Sequence, residues 1–448
     1  MPNSRRIGSV RPWLVLSLLV LLSLAWSGAG ATDRENGKKE PSQELQVDFD
    51  AAARLALRQS PSLVRSTLEI DIKRMDESDS RFDLFFPSMT VNTRYYINKP
   101  QETSTQPFTL DFSSVGYNPA VSYFSLQARK LVTQIAILAH MKVIGENLHR
   151  LGQSFLELAA TNQMAVLQEE MLALAQKQLA YAQKRQDLGE GTALEMEAAL
   201  KEVEVAMAER ERLRVAEKTL QARIKLFLGI PIHQNFHVDL KSARQQVVGA
   251  FDVARASLEE ALVRSFDLKI QSLTRELQKY QILLAKAQLL PTFTGGVQTP
   301  DPLSVVNARG LFIFLGFSYP IWDGFKRVRD ISRNKAVLKQ IEADQKLKEI
   351  DFSQKWGEAQ ERLRAAGEAA KLSQLHEKMT ALRARQSDIL YRERGEPLTL
   401  QIEGRRGYVE SQKNVAASDL QYDLAQLGLR ALSGDLVYRY VDESSWQK

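Results

Sequence analysis

Pro320-Ile321-Trp322-Asp323-Gly324-Phe325-Lys326-Arg327 stands at the boundary between two kinds of sequence. Before it, Gly310 to Tyr319 is apolar and aromatic. That stretch is about 8–10 residues, close to the 9–11 that a tilted β-strand needs to cross a bilayer. After it, no proline occurs until Pro397, and Ala, Leu, Glu, Gln, Lys and Arg dominate. Proline is the strongest helix breaker, and these other residues are good helix formers. The eight residues therefore read as the passage from a strand into a very long helix.

Working outward, that helix runs from about Phe325 to Glu393, about 100 Å at 1.5 Å per residue. A second proline-free gap, between Pro119 and Pro231, predicts a helix of similar length from about Val121 to Asp187. Its apolar spacing agrees. Ile144, Leu148, Leu151, Phe155 and Leu158 form one stripe, and Leu213, Ala216, Leu220, Ile224 and Phe227 form another. Such stripes give coiled-coil-like packing. Each long helix meets a glycine turn, Leu188-Gly189-Glu190-Gly191-Thr192 and Arg394-Gly395-Glu396-Pro397. Glycine at a helix end, followed by Thr or Pro entering the next, is stop and start chemistry. The return helices are expected at 193–228 and 398–432.

The landmarks recur. Leu63 and Leu268 are 205 residues apart, Pro87 and Pro291 204, Gly189 and Gly395 206, and Gly229 and Gly434 205. Solenoid periods are about 20–50 residues, so this is a duplicated module. The expected organisation is a first repeat over 48–231 and a second over 257–435, with a polar connector at 232–256 and a tail at 436–448. Each repeat holds a strand hairpin (about 88–127 and 292–320) and a helical hairpin (about 121–229 and 325–432). In the first, Val91, Thr93, Tyr95 and Ile97 alternate with polar residues, a half-buried strand. A loop follows from Lys99 to about Asn118, and Val121 to Leu126 is expected as the return strand. In the second, Phe293, Gly295 and Val297 lead to a turn at Pro300-Asp301-Pro302.

Two hairpins supply four strands, and an open sheet edge is not tolerated in lipid. The smallest bacterial barrels have about 8 strands. Strands in a membrane would therefore require several chains to share one barrel. The other account is a small soluble hairpin capping a helical bundle.

The ends add context. Arg5, Arg6 and Arg11 precede an apolar run, Trp13 to Trp26, and then Ala29-Gly30-Ala31. This is the pattern of a cleaved secretory signal over 1–31. A charged leader, expected to be flexible, follows over 32–47. Removing the three signal arginines lowers the formal net charge from +6 to +3. That mild balance, with no basic cluster interleaved with aromatics, does not argue for nucleic acid. The chain has no cysteine, hence no disulfide, thiol metal site or N-terminal lipid. His233 and His237 lie four apart, but Ile230-Pro231 and Asn235 mark a linker rather than a metal-binding helix. No residue set argues for an enzyme, a cofactor or a metal.

With these residues in view, the chain resembles the TolC family of outer-membrane efflux ducts from about Phe49 to Gly434. Pro320 to Arg327 is similar to the family's Pro-aliphatic-aromatic-Asp-Gly-Gly-x-Arg, where the last strand enters the long helix. Its named residues here are Pro320, Trp322, Asp323, Gly324 and Arg327. Phe49 to Leu63 is similar to the family's opening helix, and the glycine turns are the third match. Copy one lacks the transition motif, with Gln127-Ala128-Arg129-Lys130 at the expected place, and Phe325 replaces the second glycine.

The resemblance implies a mostly α fold with a β part. Long helical coiled-coil hairpins plus four transmembrane strands per chain would form a homotrimer with a twelve-stranded barrel and a periplasmic tunnel. It implies a passive exit duct in the outer membrane of a Gram-negative-type bacterium, for efflux or type I secretion. An inner-membrane pump of the RND, ABC or MFS class would act through a periplasmic adaptor, a membrane fusion protein. The docking tips would be Gly189, Thr192, Leu194, Gly395, Leu398 and Leu400. Acidic residues are expected in the family just after the second turn. Here Gln401 stands in that place, with Glu403 beyond it and Glu195 as the acidic match in copy one. The competing reading is a periplasmic coiled-coil scaffold or adaptor without a barrel.

Overall fold

Proline, glycine and capping side chains set the helix boundaries in the computed structural model. It describes residues 45–95, 108–114, 116–231, 236–240, 242–249, 257–299, 312–319 and 321–441. The signal segment, most of the leader, His233, Pro300-Asp301-Pro302, Gly310 and Pro320 lie outside the described residues.

Strand β1 (Leu45–Val47) leads into α1 (Phe49–Gln59), capped by Asp48, whose carboxylate accepts the Ala51 N–H at 2.8 Å. This bond, and then one from the Gln246 amide, hold the Asp48 carboxyl below its ordinary range. Helix α1 stops at Ser60, and Pro61 opens α2 (Pro61–Phe85) at a position where its missing N–H costs nothing. The stretch that resembles one opening helix is thus two. Next come β2 (Met89–Tyr95), β3 (Phe108–Ser114), α3 (Pro119–Asp187) and α4 (Ala193–Leu228). The connector carries β4 (Phe236–Val238) and α5 (Ala243–Val247), and α6 (Leu258–Arg264) opens the second repeat. The same order then returns: α7 (Phe266–Ala287), β5 (Thr292–Thr299), β6 (Phe312–Ser318), α8 (Lys326–Arg394) and α9 (Leu398–Leu432). A short α10 (Asp435–Tyr440) follows. Helices α3 and α8 are each 69 residues, about 100 Å long.

Several expectations need correction. Val121 to Leu126 is not a strand but the start of α3. Its Val, Tyr and Phe suit a strand, but Asn118 caps the helix and Pro119 occupies the first turn. The partner strand lies instead at Phe108–Ser114, inside the expected loop. Gln127 to Lys130 sits within α3, so the passage of copy one is at Asn118-Pro119. The end of the leader is β1, pairing in parallel with β4 of the connector. The tail begins as helix, with Leu436 and Val437 buried.

Helix α3 packs against α2, α4, α7 and α9, whereas α8 packs mainly against α9 and α7. The main core gathers where the chain's start, connector and end meet the long helices. Phe49, Leu151, Phe155, Leu158, Ile224, Val247, Leu427 and Leu436 are all buried in it. The Phe49 and Phe155 rings meet edge to face, with centroids 5.5 Å apart. All five residues of the Ile144–Leu158 stripe are buried.

The larger sheet has the order β2-β3-β5-β6, with antiparallel neighbours throughout. Residues paired across strands share a face. Val91 pairs with Phe112, Phe112 with Val297, and Val297 with Ile313. Phe293 pairs with Phe317 and Gly295 with Leu315 on the same face. The opposite face carries Thr90, Asn92, Asp111, Ser113, Thr292, Thr294 and Ser318, with Phe312 and Phe314 as apolar exceptions.

Phe155→Ala is expected to lower stability by about 3–5 kcal/mol, the usual cost of emptying a buried aromatic site. A denaturation curve followed by helical circular dichroism checks this, and an unchanged midpoint would refute the assigned core.

Candidate functional site

Three places combine geometry with exposure: the sheet, its junctions with the long helices, and the helix turns with the contacts behind them. On the sheet, the apolar face is bare. Leu315 is 90% exposed and Phe317 75%, while Val91, Phe112, Phe293 and Ile313 are also exposed. Strands β2 and β6 form its two edges and have no outer partner among the described residues.

At the last junction, Gly324 and Phe325 both adopt left-handed backbone, with φ of 65° and 60°. Glycine does so freely, but phenylalanine does so against steric cost. The Asp323 carboxylate accepts the Arg327 N–H at 3.2 Å and pairs with its guanidinium at 3.6 Å. Arg327 also donates to the Gln288 carbonyl at 2.6 Å, at the end of α7. The Trp322 and Phe325 rings meet edge to face at 5.2 Å. In copy one, the Asn118 side chain accepts from Ala120 and Val121 N–H and donates to the Ala287 carbonyl at 3.0 Å. The terminal carbonyls of a helix have no intrahelical partner. Both long helices therefore start by binding the end of α7, through different side chains.

At the turns, Gly189 and Gly395 take φ of 77° and 71°. Thr192 caps α4 by accepting the Glu195 N–H at 3.2 Å. Glu195 forms an ion pair with Arg185 at 3.4 Å, so it braces its own turn. Leu194 is exposed, Leu400 less so, and Leu398 is half-buried. Glu403 is also exposed.

Gln401 occupies a different setting. Its amide donates to Asp388 of α8, and its oxygen accepts from Lys177 of α3 at 3.4 Å. These residues line a cleft of about 400 Å³ with Arg385, Arg405 and Tyr408. Beyond it, Arg405 donates to Glu170 at 2.6 Å and Arg406 to Glu202 at 2.8 Å. Lys413 donates to buried Gln168 at 2.5 Å, and Gln168 donates to the Ala206 carbonyl at 2.9 Å. A line of polar links thus joins the first helical hairpin to the second. Sequence reading had found Gln401 but missed its partners.

Among the described residues, no helix is long and apolar enough to cross a membrane, and no group of three His, Asp or Glu could hold a metal ion. No family model matches the chain, and no curated protein matches it. Solved structures do. The outer-membrane channel OprN matches with a TM-score of 0.72 at 14% identity, covering 86% of this chain and 89% of its own. The Campylobacter jejuni CmeC outer membrane channel matches at 0.71 and 12%, covering 93% of each chain. The outer membrane protein VceC from Vibrio cholerae matches at 0.69 and 12%, covering 86% and 96%.

The fold is that of the outer-membrane channels. This agrees with the mostly helical fold and small sheet implied by the resemblance to the TolC family. In this channel fold, the four strands and the two helix turns described above come from one chain.

The Arg405–Glu170 pair is about half exposed on the arginine side, which limits its strength. A double-mutant cycle with Arg405→Ala and Glu170→Ala is expected to give a coupling of about 0.2–1 kcal/mol. A coupling of several kcal/mol, measured by denaturation, would overturn the picture of a weak surface link.

Proposed function

We propose that the chain is one subunit of a homotrimeric outer-membrane exit duct. The observation that carries this reading is the bare sheet: one apolar exposed face, one largely polar face and two edges unpaired among the described residues. In lipid, the apolar face would meet hydrocarbon and the other would line water. Pairing β2 of one chain with β6 of the next, three times over, closes a twelve-stranded barrel and removes every edge.

The helices support the same reading. Val64, Leu68, Ile72, Met75 and Phe82 form an exposed apolar seam on α2. Leu372, Leu375, Met379, Leu382 and Ile389 form another on α8. Seams of this spacing pack against partner helices. Neighbouring copies supply such partners, and the long helices then form a tunnel wall reaching into the periplasm.

The duct is passive and is not an enzyme. An inner-membrane pump supplies the energy, and a periplasmic adaptor docks at the turns through Gly189, Thr192, Leu194, Gly395, Leu398 and Leu400. The cleaved signal over 1–31 directs export, and the absence of cysteine excludes a lipid on an N-terminal cysteine. The domain division into repeats at 48–231 and 257–435 belongs to this reading. Trp322, Asp323, Gly324 and Arg327 fix the angle at which the last strand meets its helix; Pro320 belongs to the same motif in the sequence.

At the far end, the links through Gln401, Arg405 and Arg406 hold the two helical hairpins together and narrow the entrance. Glu195 and Glu403 lie near this end, but Gln401 takes the place where a carboxylate would bind cations.

Three measurements test the proposal. Mature protein should resist carbonate washing of membranes and run as a trimer in a detergent that preserves folded barrels; release by carbonate or a clean monomer would overturn it. In single-channel recordings, Gln401→Ala should leave block by multivalent cations unchanged. Arg405→Ala with Arg406→Ala should raise conductance, and an unchanged conductance would remove these links from the entrance.

A further inference from the structure

The left-handed Phe325 has no use in turning the chain. A glycine would turn it at lower cost, since only glycine enters this region without steric penalty. Phe325 is 60% exposed, and its neighbours Ile321 and Trp322 are 92% and 75% exposed. An exposed aromatic held in a costly backbone conformation calls for a function outside the chain's own packing.

Strand register fixes where this cluster lies. Met89 pairs with Ser114, Tyr117 bridges to Phe293, and Thr292 pairs with Ser318. The helix-side ends of all four strands are therefore at one level. Exposed apolar side chains mark the other junctions at that level: Phe85 and Phe86 after α2, Tyr123 at the start of α3, and Leu290 after α7. The cluster is continuous with the apolar exposed β6, which ends at Ser318.

Charge lies immediately beyond. Lys326 and Arg329 are exposed in the first turn of α8 and make no ion pair among the described residues. The nearby acids are engaged: Asp323 with Arg327 and Asp330 with Arg333 at 2.8 Å. The first turn of α8 contains no acidic residue. Apolar rings at the end of a membrane strand, followed by unengaged cations, match the interface of a bilayer with anionic headgroups.

We propose that Trp322, Phe325, Lys326 and Arg329 form a site for an anionic phospholipid of the periplasmic leaflet. The rings enter the acyl boundary and the two cations meet the headgroup phosphate. Phe325 keeps its strained conformation because it directs the ring toward lipid beside Trp322. This inference rests on the duct reading.

The test uses full-length protein reconstituted in vesicles of phosphatidylcholine, with or without phosphatidylglycerol, carrying acyl chains brominated near the headgroup or near the methyl end. The Trp322 signal is the difference between the chain and Trp322→Phe. Quenching should be stronger from the shallow bromines and stronger again when they are on phosphatidylglycerol. Lys326→Gln with Arg329→Gln should abolish the preference for phosphatidylglycerol, and Phe325→Gly should weaken shallow quenching without loss of helical signal. Retention through a carbonate wash with Trp322 quenched only by aqueous iodide, or by nothing because a neighbouring copy covers it, would overturn the site alone. Release by carbonate would overturn the duct reading and the site with it.

Discussion

The guanidinium of Arg430 is 1% exposed, and the arrangement of both repeats depends on how it is satisfied. A buried cation without partners is strongly destabilising. Here Nε donates to Asp435 at 2.7 Å and Nη1 to the Val247 carbonyl at 2.5 Å. One side chain of α9 therefore holds the start of α10 and the end of connector helix α5. The neighbouring contacts converge on that helix. Arg244 pairs with Asp423 of α9 at 2.8 Å, and Gln246 donates to Asp48 at 2.9 Å and accepts from Phe49 N–H at 3.0 Å. Burial pushes the Asp423 carboxyl above its ordinary range, while the Arg244 charge opposes that shift. Three connector residues, Arg244, Gln246 and Val247, thus join the start, middle and end of the chain.

Away from that point, the two repeats use the same elements differently. Helix α3 contacts four long helices, so its apolar stripe is buried within one chain. Helix α8 has the same length but buries only Trp356, Leu363, Ala370, Thr380 and Ser387. The first three are seven residues apart, which is the narrow seam of a coiled coil against α9. Its second seam remains bare. Duplication gives the symmetry, and burial breaks it: the long helix of one copy is packed on several sides within the chain, and that of the other keeps a long apolar seam exposed.

Much of this was legible because proline and glycine act locally. The two long helices begin and end within a few residues of their expected bounds, since no proline interrupts them and Gly189 and Gly395 adopt the left-handed conformation that ends a helix. The second strand of copy one was misread because its signal competed with a stronger-looking one. Val121-Ser122-Tyr123-Phe124 suits a strand in isolation, yet the cap at Asn118 overrides it. Phe108, Leu110 and Phe112 do alternate, but in a polar setting that reads as loop. The links behind the turns were not legible at all. Lys177 and Gln401 are 224 residues apart, and Arg405 and Glu170 235. No local pattern in a charged helix distinguishes a lysine that crosses to another hairpin from one that faces water.

The same asymmetry bears on movement at the entrance. A packed core moves between discrete arrangements rather than deforming smoothly. Near Arg430 the hairpins are held by buried contacts, so displacement there requires breaking the core. Near the turns they are held by exposed, weakly coupled links such as Arg405–Glu170 and Arg406–Glu202. With a fixed end and a loosely held end, displacement of a long helix is greatest at the loose end. In the proposed duct, α8 and α9 are the pair placed to swing, because α8 packs mainly against α9 and α7 within its own chain, while α3 is held by α2, α4, α7 and α9. Opening would then break these polar links and part the Leu372–Ile389 seam of α8 from the neighbouring copy. The buried core around Arg430 need not change.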